Sequence, residues 1–302
     1  MSGRDGAGRR RRVLGWTSLT GLVVYAALTV WASGSLATPD RRSPGAPDGL
    51  ALESVELVTD DGLTLAGWWL EPDGPAHGTV LLFHAKDGCR QASRMAFVQA
   101  LGFRSLALDA RAHGESGGET TSFGWHERLD VRAAVRYART RAPDGPLIGW
   151  GTSQGAAALL YFCDEDDGAL QGLILESLYA DIDRAFRNRV EHLIGGWLMP
   201  FLVPTRQLVS WRGDLDRDAM RPVEVVAGLA PRPLLLATGA RDAYATPAEL
   251  AELEAAARAA GFPVEAMTVP EAGHTDLLGT TDPRYRARIE GFLAIWSQGS
   301  GR

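Results

Sequence analysis

The chain has 302 residues, 45% hydrophobic and 23% charged, which excludes a disordered chain and leaves enough apolar surface for one large core or two small ones. Its net charge of −6 gives no basic footprint, so no nucleic-acid partner is expected. The two cysteines, Cys89 and Cys163, do not make a disulfide framework and read as buried free thiols.

Residues 1–37 read apart from the rest. Arg9 to Arg12 are basic, and Val13 to Ala37 carries no charge. About 20 apolar residues suffice to cross a bilayer. The stretch reads first as an uncleaved anchor. It also fits a signal peptide cleaved near Ser35-Leu36-Ala37, or a buried helix. The arginines precede the span, so the positive-inside rule puts the remaining chain outside the cytoplasm, membrane-anchored or, if cleaved, secreted. Residues 38–51 are rich in Pro, Gly and charge and read as a linker.

From Leu52 strands and helices alternate. Asp60-Asp61-Gly62 joins two arms of a hairpin, the second ending at Pro72. Thr79 to His84 is a short apolar run, as in a strand covered on both faces. Helical residues run from about Cys89 to Leu101, and Arg104 to Asp109 is another strand. Val131, Ala134, Val135 and Ala138 form one face of a helix. Next come a strand at Leu147, a helix after Ser153 and a strand from Gly172 to Glu176. Residues 177–229 are less regular. Pro233 to Thr238 and Val264 to Val269 are strands around a helix that opens on the capping box Thr246-Pro247-Ala248-Glu249 and ends at Gly261. Tyr285, Ile289, Phe292, Leu293 and Trp296 stripe a closing helix before the tail at 298–302. This rhythm predicts a mostly parallel sheet with helices on both faces.

Ligands in such sheets bind beyond the carboxyl ends of the strands. His84, Asp109, Ser153, Glu176, Asp242 and His274 all stand there or in the loop that follows. Gly151-Thr152-Ser153-Gln154-Gly155 lies between a strand and a helix, the spacing of a nucleophile elbow. Glycines flank the serine because the turn is too tight for side chains two residues either side. A serine needs a base, and the base an orienting acid. His274 follows the last strand, and Asp242 follows the strand before it, in the order Ser, Asp, His. Glu176 is an alternative acid; Asp242 is favoured because its loop stands beside the His274 loop if those strands pair. The other five histidines read as structural or exposed, with His84 shaping a loop.

From about Leu52 to Trp296 the chain resembles the α/β-hydrolase superfamily, in particular membrane-anchored or secreted bacterial serine hydrolases related to prolyl-oligopeptidase-like peptidases and esterases. The matching motifs are His84-Ala85-Lys86-Asp87-Gly88, Asp109 to Gly118, the Ser153 elbow, Glu176-Ser177-Leu178-Tyr179, Gly239-Ala240-Arg241-Asp242 and Gly273-His274. The resemblance implies an α/β-hydrolase fold over residues 52–297, with a small helical cap inserted at about 177–229. It implies Ser153 as nucleophile, Asp242 as acid, His274 as base, and an oxyanion hole from the backbone N–H groups of Gln154 and Lys86. Losing one such donor can cost ~3 kcal/mol. Tyr179 is a candidate substrate contact. Ala85 and Ala112 stand where the family usually has glycine, which predicts strain or a different loop.

Residues 177–229 contribute Trp197, Leu198, Met199, Phe201, Leu202 and Trp211. They read as a helix packed on the core, as an apolar wall over an acyl pocket, or as a surface touching the bilayer. No metal-ligand spacing and no phosphate-binding glycine loop is visible, so no cofactor is expected. The expected activity is hydrolysis of an ester, thioester or amide in a small-molecule, acyl or peptidyl substrate. An acyltransferase on the same residues and a non-catalytic binding protein are the alternatives.

Overall fold

The computed structural model describes residues 4–45, 49–275, 277–280 and 282–297. Residues 46–48 of the expected linker, Asp276 beside the His274 motif, and the tail at 298–302 lie outside them. A long helix, α1 (Arg4–Ala37), comes first. The hairpin β1 (Glu53–Val58) and β2 (Thr64–Leu70) follows, then β3 (Thr79–Phe83), α2 (Ala92–Ala100) and β4 (Arg104–Leu108). Next come α3 (Glu127–Arg141), β5 (Leu147–Thr152), α4 (Gln154–Glu165) and β6 (Gly172–Glu176). The 177–229 region folds as α5 (Ile182–Ile194), a 3-10 helix (Gly196–Leu202), α6 (Val203–Arg212) and α7 (Pro222–Gly228). The chain closes through β7 (Leu234–Gly239), α8 (Pro247–Ala259), β8 (Val264–Val269) and α9 (Pro283–Ser297).

All eight strands form one sheet in the order β1-β2-β4-β3-β5-β6-β7-β8. β2 runs antiparallel to β1 and β4, and the other pairings are parallel. Side chains alternate across a strand, so each central strand feeds two cores. Leu81, Phe83, Leu173, Leu175, Leu234 and Leu236 join one, against α3, α4, α7 and α8. Val80, Leu82, Ile148, Trp150, Ile174 and Leu235 join the other, against α2 and α9. That two-sided burial explains why these strands read as unbroken apolar runs.

The observed elements match the predicted ones within a few residues. The capping box at Thr246 and Glu249 forms, and α8 ends at Ala259, two residues before Gly261. Cys163 is buried, and burial pushes its thiol up to about 12. Cys89 is only half-buried, against expectation, because it lies in the loop before α2 rather than in a helix.

Within 177–229, α7 packs on α4 and α8 and belongs to the flank of the sheet. The rest stands over the strand ends. Asp181 starts α5 by accepting from the N–H groups of Asp183 (2.8 Å) and Arg184 (3.0 Å). The 3-10 helix and α6 lean on α1, where the Tyr25 hydroxyl donates to the Phe201 carbonyl at 2.6 Å. Trp197, Phe201 and Trp211 remain exposed. Beyond α1 the chain stays on the domain. The Ala37 carbonyl accepts from Thr121 N at 2.8 Å, the Asp40 N–H donates to Asp87 at 3.0 Å, and Arg41 donates to the Ser116 carbonyl at 2.8 Å.

Candidate functional site

The elbow leaves no room for side chains two residues either side of the serine. A Cβ on Gly151 would lie 2.5 Å from the Gly155 backbone, and one on Gly155 would lie 2.5 Å from the Phe83 carbonyl oxygen. No other residue fits either place. Between them Ser153 takes φ 53° and ψ −112°, a strained backbone for a residue with a side chain. Its N–H is held by the Glu176 carbonyl at 2.7 Å, so β5 and β6 together support the turn. α4 begins directly after the serine and aims its unpaired N–H groups at the space above.

His274, in the loop after β8, brings Nε2 to 2.8 Å from Ser153 Oγ. Its Nδ1 lies 2.9 and 3.0 Å from the two Asp242 carboxylate oxygens. Asp242 is buried and accepts from the N–H groups of Tyr244 and Ala245, each at 2.9 Å, and from the Thr238 hydroxyl at 3.1 Å. Burial alone would raise its carboxyl. The His274 contact and the two N–H groups outweigh that and hold it below the usual carboxylate range. An ionised acid on Nδ1 leaves Nε2 free to accept the serine proton.

Glu176 is placed elsewhere. Ile174 and Glu176 share the sheet face opposite Leu173 and Leu175, so the carboxylate turns toward α2 and α9. There it meets Arg94 at 2.6 Å, the Thr152 hydroxyl at 2.6 Å and the Tyr285 hydroxyl at 2.7 Å. Burial pushes this carboxyl up, and Arg94 with the two hydroxyls brings it back below its ordinary value.

Lys86, Gln154 and Tyr179 line one cleft with Ser153 and His274, enclosing about 420 Å³ with its open mouth. The Lys86 ammonium is engaged by Asp87 at 2.7 Å, and the Gln154 carboxamide turns away to Thr121. Tyr179 donates to the Phe123 carbonyl at 2.8 Å and meets the Tyr161 hydroxyl at 3.0 Å, and burial raises its pKa. Its hydroxyl therefore shapes the cleft wall. Sequence reasoning missed Phe123, Ile182, Ala185, Arg189 and Tyr244 as lining residues. Tyr244 had one signal, its place two residues after Asp242; its ring stacks edge-on to His274 with centroids 5.1 Å apart. The others come from α5 or a loop with no motif.

The loops around the cleft are pinned by buried polar pairs. Ala110 N–H donates to His84 Nε2 at 3.0 Å, which places the imidazole proton on Nδ1, facing the Ala85 carbonyl at 2.7 Å. Burial, with the neighbouring His113, lowers the pKa of His84 to about 4. Asp109 pairs with Arg90 at 2.6 Å, and Arg111 with Asp130 at 2.8 Å. Ala112 takes a left-handed φ of 63°, whereas Ala85 does not, so the two glycine replacements differ: one is strained and the other is not.

Residues 74–227, just over half of the chain, match the family model of the serine aminopeptidases, S33. The chain belongs to this family. It is thus an α/β-hydrolase, and its eight-stranded sheet is the fold of that superfamily. The S33 chain is 31% identical over 148 residues to the uncharacterized protein YqkD of Bacillus subtilis, a match spanning 48% of each chain. It is 24% identical over 242 residues to the α/β hydrolase domain-containing protein WAV2 of Arabidopsis thaliana, covering 75% of this chain and 73% of that one. Among solved structures, the Pyrococcus furiosus esterase Pf2001 superposes with a TM-score of 0.72 at 24% identity, covering 87% of this chain and 98% of the esterase. That likeness is one of fold.

Proposed function

We propose that the protein is a serine hydrolase that cleaves an ester, thioester or amide through an acyl-enzyme on Ser153. The observation that carries this is the 2.8 Å contact of Ser153 Oγ with His274 Nε2, backed by Asp242 on Nδ1. Ser153 Oγ attacks the carbonyl carbon as its proton passes to Nε2, forming a tetrahedral adduct. The N–H groups of Gln154 and Lys86 receive the negative oxygen. The adduct collapses as Nε2 returns the proton to the departing alcohol, thiol or amine. Water then attacks the acyl carbon by the same route, and the free acid leaves with Ser153 restored.

Helix α1 serves as the membrane anchor in this reading. Ser18–Ala37 is long and apolar enough to cross a bilayer; Leu19, Leu22 and Val23 are exposed on it, and Leu28 and Trp31 share a pocket with Trp197 and Phe201. The domain then lies outside the cytoplasm. Trp197, Phe201 and Trp211 lie on the cap elements that lean on α1, and tryptophans at that level suit the membrane interface. Labelling of full-length protein with a fluorophosphonate probe, lost in Ser153→Ala, tests the hydrolase reading. Unchanged labelling of that variant sinks it.

A further inference from the structure

We infer that the apolar chamber beside the Ser153 cleft is the binding site for the acyl chain of the substrate, and that the last turn of α1 completes its wall. This rests on the reading of Ser153 as the nucleophile. The chamber encloses about 520 Å³, open mouth included. Its carbon walls are Leu36 of α1, Phe186 of α5, Val209 of α6 and Leu215. The carboxylate in its lining, Asp183, pairs with Arg217 at 2.7 Å and Arg206 at 3.4 Å, and Arg189 turns its guanidinium onto the Tyr244 ring at 4.7 Å. The exposed lining is mostly carbon, which suits an alkyl chain.

The wall shared with the cleft decides which half of the substrate faces the chamber. Phe123, Ile182, Ala185 and Arg189 line both spaces, whereas Tyr244, Ala245 and His274 line only the cleft. The leaving group must face His274 to receive its proton, so it occupies the Tyr244 side. The remaining arm of the ester, the acyl chain, is directed past Ala185 into the chamber.

Helix α1 belongs to this site. The Ala37 carbonyl is tied to Thr121 N at 2.8 Å, two residues before Phe123, and this fixes the rotation that turns Leu36 inward. A second tie, Tyr25 to Phe201 at 2.6 Å, holds the helix against the cap. The chamber therefore lies against the end of the apolar helix, next to where a lipid layer would stand in the anchored protein.

The test uses the full-length protein in detergent micelles with p-nitrophenyl acetate, butyrate, hexanoate and octanoate. One buried methylene contributes about four-fold, so octanoate should exceed acetate by about 100-fold or more in kcat/KM. Ser210 of α6 lines the chamber too, and Leu36→Trp and Ser210→Trp fill it from two different helices. Each should lower the octanoate-to-acetate ratio about ten-fold or more. Fluorophosphonate labelling accompanies every variant and reports an intact Ser153 centre. Labelling with a chain-length profile that is flat in the wild type overturns the inference and leaves the hydrolase reading standing. An unchanged ratio in both labelled tryptophan variants overturns it equally. No labelling and no acetate turnover in the wild type removes the Ser153 reading, and the acyl site with it.

Discussion

Arg94 reaches across one sheet face to Glu176 at 2.6 Å, and that contact takes away the carboxylate that competes with Asp242 for His274. Both side chains are buried, and the Arg94 guanidinium also stacks on Trp150 at 4.6 Å. These contacts hold the carboxylate on the sheet face covered by α2 and α9, away from the imidazole that Asp242 meets.

Exchanging each acid separates their roles. Asp242→Asn should lower kcat by about 10³–10⁴ with the fold intact, because the amide no longer holds the imidazole tautomer or supports its charge. Glu176→Gln should instead lower stability by about 3 kcal/mol, since it leaves Arg94 buried without its counter-charge. Turnover and urea midpoints measured on both variants check this. A large kcat loss in Glu176→Gln at unchanged stability would reverse the assignment.

Ser153→Ala should abolish hydrolysis of a short p-nitrophenyl ester, by up to about 10⁶ in turnover. Binding of a non-reactive substrate analogue should survive within a few-fold, because the side chain removed is small and the cleft walls remain. Residual turnover above about a tenth of wild type would mean that another group carries the chemistry.

Stability should fall between neutral and mildly acid pH through His84. Its folded pKa of about 4 lies below the ordinary 6.5, so the unfolded chain takes up a proton first as pH drops. The stability it contributes is full above about pH 6.5 and is lost progressively toward pH 4. Denaturation curves at pH 7, 5.5 and 4.5 should show a loss on the order of 3 kcal/mol that is reduced in His84→Gln. Parallel slopes for both proteins would place the titration elsewhere.

Full-length protein should partition with membranes and resist extraction by carbonate, and deletion of residues 1–49 should release it. The deletion also strips Leu36 from the chamber and the Arg41 contacts from the loop at Ser116. The shortened protein should accordingly melt several degrees lower. Expression of the full-length sequence that yields a soluble protein with its N-terminus near Thr38 would favour a cleaved signal.

Much of the architecture was legible because it rests on local rules. Apolar runs such as residues 79–83 and 172–176 are continuous since both sheet faces are covered, and the pattern alone announces buried parallel strands. The glycine-flanked serine was legible because its spacing is local, with Gly151 closing on Gly155, although Gly155 is also required by the Phe83 backbone of β3; the Thr246 capping box was legible for a hydrogen-bond reason confined to four residues. Tertiary structure decided what no short window contains. Asp242 and Glu176 both stand near the ends of neighbouring strands, and only the packing of α2 and α9 shows that one face of β6 holds Arg94 and Tyr285 for Glu176. Ala112 accepts a left-handed backbone and Ala85 does not, because the surrounding loops are set by partners such as Asp130 and Ala110. Leu36 reads in the sequence as one more residue of an apolar span. Its place in a chamber wall depends on a bond from Thr121, 84 positions further on, since Ala37 marks the point where helix and domain are joined. Periodicity records which face of an element is apolar; the identity of what covers that face is a long-range property, settled only when the elements pack.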